Sequence, residues 1–198
     1  MNKSRLKFKK LLNEYRSEFY ELQYVNEVIN DINSEFEEYK KKYINKKRIN
    51  IQNLNDKHQE RIKKIFTPSP IVKEIAKKRK ENPYDSKKIF RQIARRFHPD
   101  KLDSDDPRFE EYENVFKQAT NAIDNKSWAE LFNIAEKYDL DLDDYETINV
   151  LLVKEVQLIK AEVNNKKNTY AWLFYNCEKD EDKDKLMKRF MKHIYIEW

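Results

Sequence analysis

Glycine is absent from all 198 residues and proline occurs only five times, so turns that need positive φ have almost no residue suited to them. An all-α chain is the fold this favours. The same absence argues against direct nucleotide binding, because the Walker A and dinucleotide fingerprints both need glycine to bring backbone close to phosphate. Cys177 is the only cysteine, so no intrachain disulfide can form, and a reducing, cytoplasmic setting is expected, with nuclear entry left open. Cys177, His58, His98 and His193 show none of the short paired spacings of a zinc site, and neither a metal nor another cofactor is expected. The chain never offers a run of about 18 uncharged apolar residues, and its opening MNKSRLKFKK does not read as a signal peptide.

What the chain has instead is charge and aromatic surface. Charged residues make up 39% and the hydrophobic share is also 39%, below the roughly 45–50% of ordinary globular chains, so a single large core is not expected. Disorder is the usual fate of so polar a sequence, yet 12 Tyr, 11 Phe and 3 Trp are more aromatic surface than disordered chains carry. Elongated helical structure reconciles the two. The 36 acidic and 41 basic residues are interspersed, which reads as a solvated mixed-charge surface rather than a nucleic-acid or membrane surface.

From Leu12 an apolar stripe recurs at helical spacing through Tyr15, Phe19, Leu22, Val25, Ile29, Ile32, Phe36, Tyr39 and Tyr43. It resumes at Ile51, Leu54, His58, Ile62 and Ile65 after a Lys-rich stretch, Lys46–Arg48, where a helix break is expected. Such a stripe must be buried, either by C-terminal helices of the same chain or by a second copy in a homodimer. Thr67-Pro68-Ser69-Pro70 ends any helix entering it and marks a boundary. The expected organisation is a long helix or coiled coil over 1–67, a helical domain over 68–140 and a helical extension over 141–198.

Within the middle segment, Ile71 to Lys80 reads as a short helix with Ile71, Val72, Ile75 and Ala76 on its packing face, and Asn82-Pro83-Tyr84-Asp85 as a turn. Asp85 or Ser86 would cap the next helix, about 86–97. There Ile89, Phe90, Ile93, Ala94 and Phe97 share a face, while Lys87, Lys88, Arg91, Arg95 and Arg96 surround it. His98-Pro99-Asp100-Lys101 follows, with Pro99 disfavouring helix at His98. After the acidic loop Leu102 to Pro107 comes a second amphipathic helix, about 108–124, through Phe109, Tyr112, Val115, Phe116, Ala119 and Ile123.

Two helices joined by a loop carrying His-Pro-Asp resemble the J domain of DnaJ-like co-chaperones. Phe90, Ile93, Ala94 and Phe97 fill the aromatic, aliphatic, alanine and aromatic positions of the family's second helix, and Phe116, Ala119 and Ala122 match its third. The first helix lacks the family's Tyr-x-x-Leu-Gly opening, and Trp128, Leu131, Phe132, Ala135 and Tyr138 replace its short basic fourth helix. This is similar to a minority type with a coiled coil before the J domain and a Trp-bearing helical segment after it. The resemblance implies recognition rather than bond making. The basic helix (Lys87, Lys88, Arg91, Arg95, Arg96) and Lys101 would dock on an acidic surface of a DnaK-type ATPase. The loop would engage the junction of nucleotide domain and interdomain linker, with Asp100 accepting from an Arg, Pro99 fixing the loop and His98 orienting it. Stimulated ATP hydrolysis would follow as a population shift.

The competing readings use the same residues. His98 with Asp100 as a general base would make an enzyme, but no nucleophile or oxyanion donors can be picked out nearby, and the expectation is that the chain is not an enzyme. A scaffold protein retaining the fold without using it is a second class, and a nucleic-acid binder using the five cations of the helix is a third. Beyond the domain, Ile148, Leu151, Leu152, Glu155, Val156, Ile159 and Val163 mark a helix capped near Asp143 or Asp144, and Leu186, Phe190 and Ile194 mark a last one over Asp182 to Ile196. Between them Tyr170, Trp172 and Phe174 form the most apolar patch, read as a plug, a dimer interface or a client site.

Overall fold

The structure is a computed structural model that describes residues 3–66, 86–101, 103 and 105–195. The expected breaker at Thr67–Pro70, the helix Ile71 to Lys80, the turn Asn82 to Asp85, and Leu102, Ser104 and Ile196 lie outside the described residues, as does the side chain of Ile65. All regular structure among the described residues is helical. The order is α1 (Lys3–Lys47), α2 (Ile51–Phe66), α3 (Ser86–Phe97), a 3-10 turn (Pro99–Lys101), α4 (Phe109–Asn125), α5 (Trp128–Lys137), α6 (Tyr145–Lys167), α7 (Tyr170–Tyr175) and α8 (Asp180–Ile194).

Helix ends are made without glycine. Arg48, Lys126 and Asp139 take left-handed φ values of 53°, 56° and 50°, just beyond α1, α4 and α5. The amides of Ile49, Ser127 and Leu140 then reach back to the carbonyls of Ile44, Ala122 and Ala135 at 3.0, 2.8 and 2.8 Å, closing the last turn of each helix. Side chains with a Cβ fit this conformation at a cost of roughly 1–2 kcal/mol each. The Lys-rich stretch thus sits at the break between α1 and α2. Asn50 opens α2 by accepting the Asn53 amide at 3.0 Å, and Asp144 opens α6 by accepting that of Thr147 at 3.0 Å.

Two compact units result, and α1 and α6 each contribute residues to both. The first takes the described residues of Met1–Phe19 and Ile71–Lys160. Its buried side chains include Phe8, Leu11, Leu12 and Tyr15 of α1, Trp128, Leu131 and Phe132 of α5, and Ile148, Leu152 and Val156 of α6. Phe8 stands edge-on to Tyr145 at 5.4 Å, and Arg16 donates to Asn133 Oδ1 at 2.7 Å and Glu136 Oε2 at 2.9 Å, tying α1 to α5.

The second unit takes the described residues of Tyr20–Pro70 and Ala161–Trp198. Phe36, Tyr43, Phe174, Leu186, Met187, Met191, Ile194 and Tyr195 form its core. Phe36 meets Phe174 at 5.4 Å and Phe190 at 5.3 Å, both edge to face. The α1 stripe is therefore covered here by helices of its own chain, α7 and α8.

Candidate functional site

Three amphipathic helices, α3, α4 and α5, pack together around the His98 loop. Ile89, Ile93 and Phe97 are fully buried at spacings of four residues along α3, and Ala119 and Ala122 supply the small facing positions of α4. Phe97 meets Tyr112 at 5.0 Å and Phe90 meets Phe116 at 6.0 Å, so late residues of α3 face early residues of α4 and the two helices run antiparallel. Phe90, Ala94 and Phe116, expected as core, are half-buried instead. They lie at the margin of the face, where the rings of Phe90 and Phe116 close the edge of the packing.

The backbone amide of His98 still bonds to Ala94 O at 3.2 Å, after which Pro99 turns the chain into the 3-10 turn, closed by the Lys101 amide on His98 O at 2.9 Å. The imidazole lies edge-on to Phe116 with centroids 4.9 Å apart. Its Nδ1 accepts the Asp100 amide at 3.2 Å. The Asp100 carboxylate lies 3.6 Å from the same nitrogen, beyond hydrogen-bonding distance, and because Nδ1 is already an acceptor the contact is not a His–Asp dyad. Asp100 leaves its side chain 86% exposed.

The far end of the loop is held separately. Asp106 accepts the Arg108 amide at 2.8 Å and its guanidinium at 3.3 Å, and these bonds hold the Asp106 carboxyl below the usual aspartate range. Arg108 also lies over Tyr112 at 5.1 Å.

The cations of α3 divide into two rows. Lys88, Gln92 and Arg96, one turn apart, are clasped by the segment after α5. Lys88 pairs with Asp143, the Gln92 amide exchanges hydrogen bonds with both backbone groups of Asp141 at 3.0 Å, and Arg96 donates to Tyr138 O at 2.7 Å. Tyr138 also packs on Phe97 at 4.8 Å and donates to Glu111 at 2.6 Å, a bond that lowers the Glu111 pKa. Lys87, Arg91 and Arg95 form the other row; all five cations of α3 are exposed, as is Lys101. Sequence reading grouped all five cations as one flank and missed the clasp; the run Asp139-Leu140-Asp141-Leu142-Asp143-Asp144 was its only signal.

The Tyr170–Phe174 patch is mostly internal. Phe174 is fully buried, which removes it from any client surface, while Tyr170 and Trp172 are half-buried, the former edge-on to Phe190 at 5.1 Å. Among the described residues of this unit, Tyr20, Tyr24 and Tyr175 are the exposed aromatics, and the hydroxyls of Tyr24 and Tyr175 meet at 3.4 Å. Burial raises the Cys177 thiol pKa, and its sulfur donates to Leu173 O at 3.3 Å, so it is not activated as a nucleophile. Among the described residues no three His, Cys, Asp or Glu side chains are grouped to hold a metal ion, and no helix is long and apolar enough to cross a membrane. No protein-family model, curated protein or solved structure matches the chain.

Proposed function

We propose that this chain is a J-domain-type co-chaperone that binds a DnaK-type ATPase through the His98-Pro99-Asp100 loop and α3 and stimulates its ATP hydrolysis. The observation that carries the reading is the division of labour within the loop. His98 is fastened to Phe116 and gives its Nδ1 to the Asp100 amide, while the Asp100 carboxylate is left 86% exposed at the end of a basic helix. A solvent-facing carboxylate on an anchored turn can accept a charge-assisted bond from a partner arginine without first ordering the loop.

Lys87, Lys88, Arg91, Arg95, Arg96 and Lys101 supply the exposed cations around it. Binding that favours the hydrolysis-competent state of the ATPase raises its turnover by shifting populations, and needs no bond-making residue here. The helices outside the loop region would serve dimerisation, client binding or targeting. The test is steady-state ATP hydrolysis by a DnaK-type chaperone with and without this protein. Stimulation by wild type that is lost on Asp100→Asn supports the reading, and equal stimulation by both proteins refutes it.

A further inference from the structure

We infer that the outer face of α1 in the second unit, where Tyr20 and Tyr24 adjoin Tyr175 and lead into a line of carboxylates, is a docking surface for a polypeptide segment carrying Lys or Arg among apolar side chains. The inference rests on the co-chaperone reading in naming that segment a client; the surface itself is built by α1 and α7. Five large apolar side chains are exposed among the described residues, and three of them, Tyr20, Tyr24 and Tyr175, belong to this unit. Tyr20, one turn before Tyr24 on α1, is the most open of the five at 68% exposure. The Tyr24 hydroxyl meets that of Tyr175 at 3.4 Å, and the Trp172 ring stands edge-on to Tyr24 at 6.2 Å. Such rings are rigid and amphipathic, the kind of contact area that anchors a partner.

Charge selects the partner. The chain carries 41 basic residues, yet the stretch 20–38 has none and holds six acids, Glu21, Glu27, Asp31, Glu35, Glu37 and Glu38. Lys167, Lys183 and Lys40 meet Glu21, Glu35 and Glu37, while Glu27, Asp31 and Glu38 are exposed and make no ion pair among the described residues. Helical spacing puts those three acids on the same face as Tyr20 and Tyr24, turned away from the buried Val25 and Phe36. From Tyr20 to Glu38 the face runs about 27 Å, too long for a small cation and suited to a chain that brings several. The molecule already seats one cation in this chemistry: Lys167 Nζ lies 5.5 Å over the Trp172 ring and pairs with Glu21 at 2.6 Å. The exposed tyrosines and Glu27 repeat that combination of ring and carboxylate on the outside, and the same acids repel polyanions.

Binding is read by fluorescence anisotropy of two labelled peptides, one of Arg, Leu and Ser in rotation and one with Gln in place of each Arg. Thermal unfolding, light scattering and stimulation of a DnaK-type ATPase are followed in parallel. Wild type is expected to prefer the Arg peptide. E27Q/D31N is expected to weaken that binding about three- to ten-fold and Tyr20→Gln about two- to five-fold, each at an unchanged melting temperature. E110Q/D124N makes the same change of charge at exposed positions of α4 and is expected to bind as wild type. Equal binding of the two peptides overturns the inference, as does equal weakening by E27Q/D31N and E110Q/D124N. A wild-type mass that doubles with concentration while that of Tyr20→Gln stays single also overturns it, by giving the face to a second copy. ATPase stimulation without peptide binding removes this inference alone; the expected peptide binding without stimulation keeps the docking surface and refutes the co-chaperone reading.

Discussion

The imidazole of His98 stands edge-on to Phe116 at 4.9 Å, which fastens the residue that follows α3 to the middle of α4. The turn after it inherits that anchor, because the Asp100 amide donates to the same ring. Phe116→Leu keeps apolar volume and removes the aromatic partner. The His98 ring protons are expected to move toward their values in an unstructured peptide, and protection of the Asp100 amide from hydrogen exchange to fall, with helix content unchanged. NMR on the full chain checks both, and unchanged shifts contradict the anchor.

Lys126 is held at φ 56° after α4, a conformation glycine takes without steric cost. Lys126→Gly is expected to raise stability by about 1 kcal/mol, the relief of left-handed strain exceeding the added entropy of the unfolded chain. Denaturant unfolding with an unchanged slope is the measurement. A loss of stability would show that the Lys126 side chain contributes more than its backbone costs.

Phe174 is fully buried between Phe36 and Tyr39, at 5.4 Å from each ring. Phe174→Ala is expected to destabilise the chain by roughly 3–5 kcal/mol, as for other large-to-small changes at buried aromatic sites. Trp172→Ala, at a half-buried position, is expected to cost less. Thermal unfolding of the two variants ranks them, and the reverse order would return Phe174 to the surface.

Asp184 accepts from Tyr39 Oη at 2.8 Å and from Lys46 Nζ at 3.1 Å, and these bonds hold its pKa below the ordinary 3.8. A carboxyl lowered in the folded state contributes stability that is present above its unfolded pKa and lost as pH falls through the folded one. Near neutral pH, Asp184→Asn is expected to cost about 1 kcal/mol at this partly exposed site. The difference from wild type should close as pH falls below 3.8 and through the lower folded value. A difference that persists in acid would assign the loss to packing.

The helical character and the elements around the loop were legible because their cause is local. Ile89, Ile93 and Phe97 repeat at one-turn spacing, and Pro99 ends the helix they define. The stripe of α1 was legible from Leu12 onward, but the buried Phe8 was not, because Lys7, Lys9 and Lys10 around it hide a single apolar residue. The partners of Lys88 and Arg96 could not be read, since they lie 55 and 42 residues away in the chain. The absence of glycine suggested few left-handed turns; Arg48, Lys126 and Asp139 take that conformation because backbone bonds at the helix ends hold it.

The central claim is that the exposed Asp100 carboxylate, presented by an anchored His98, acts on a DnaK-type ATPase. Single-turnover ATP hydrolysis by the chaperone, with this protein added as wild type or as Asp100→Asn of equal melting temperature, tests it most directly. The account predicts acceleration by wild type and a rate at the unstimulated level with the variant. Equal rates with both proteins, or no acceleration by wild type, would contradict it.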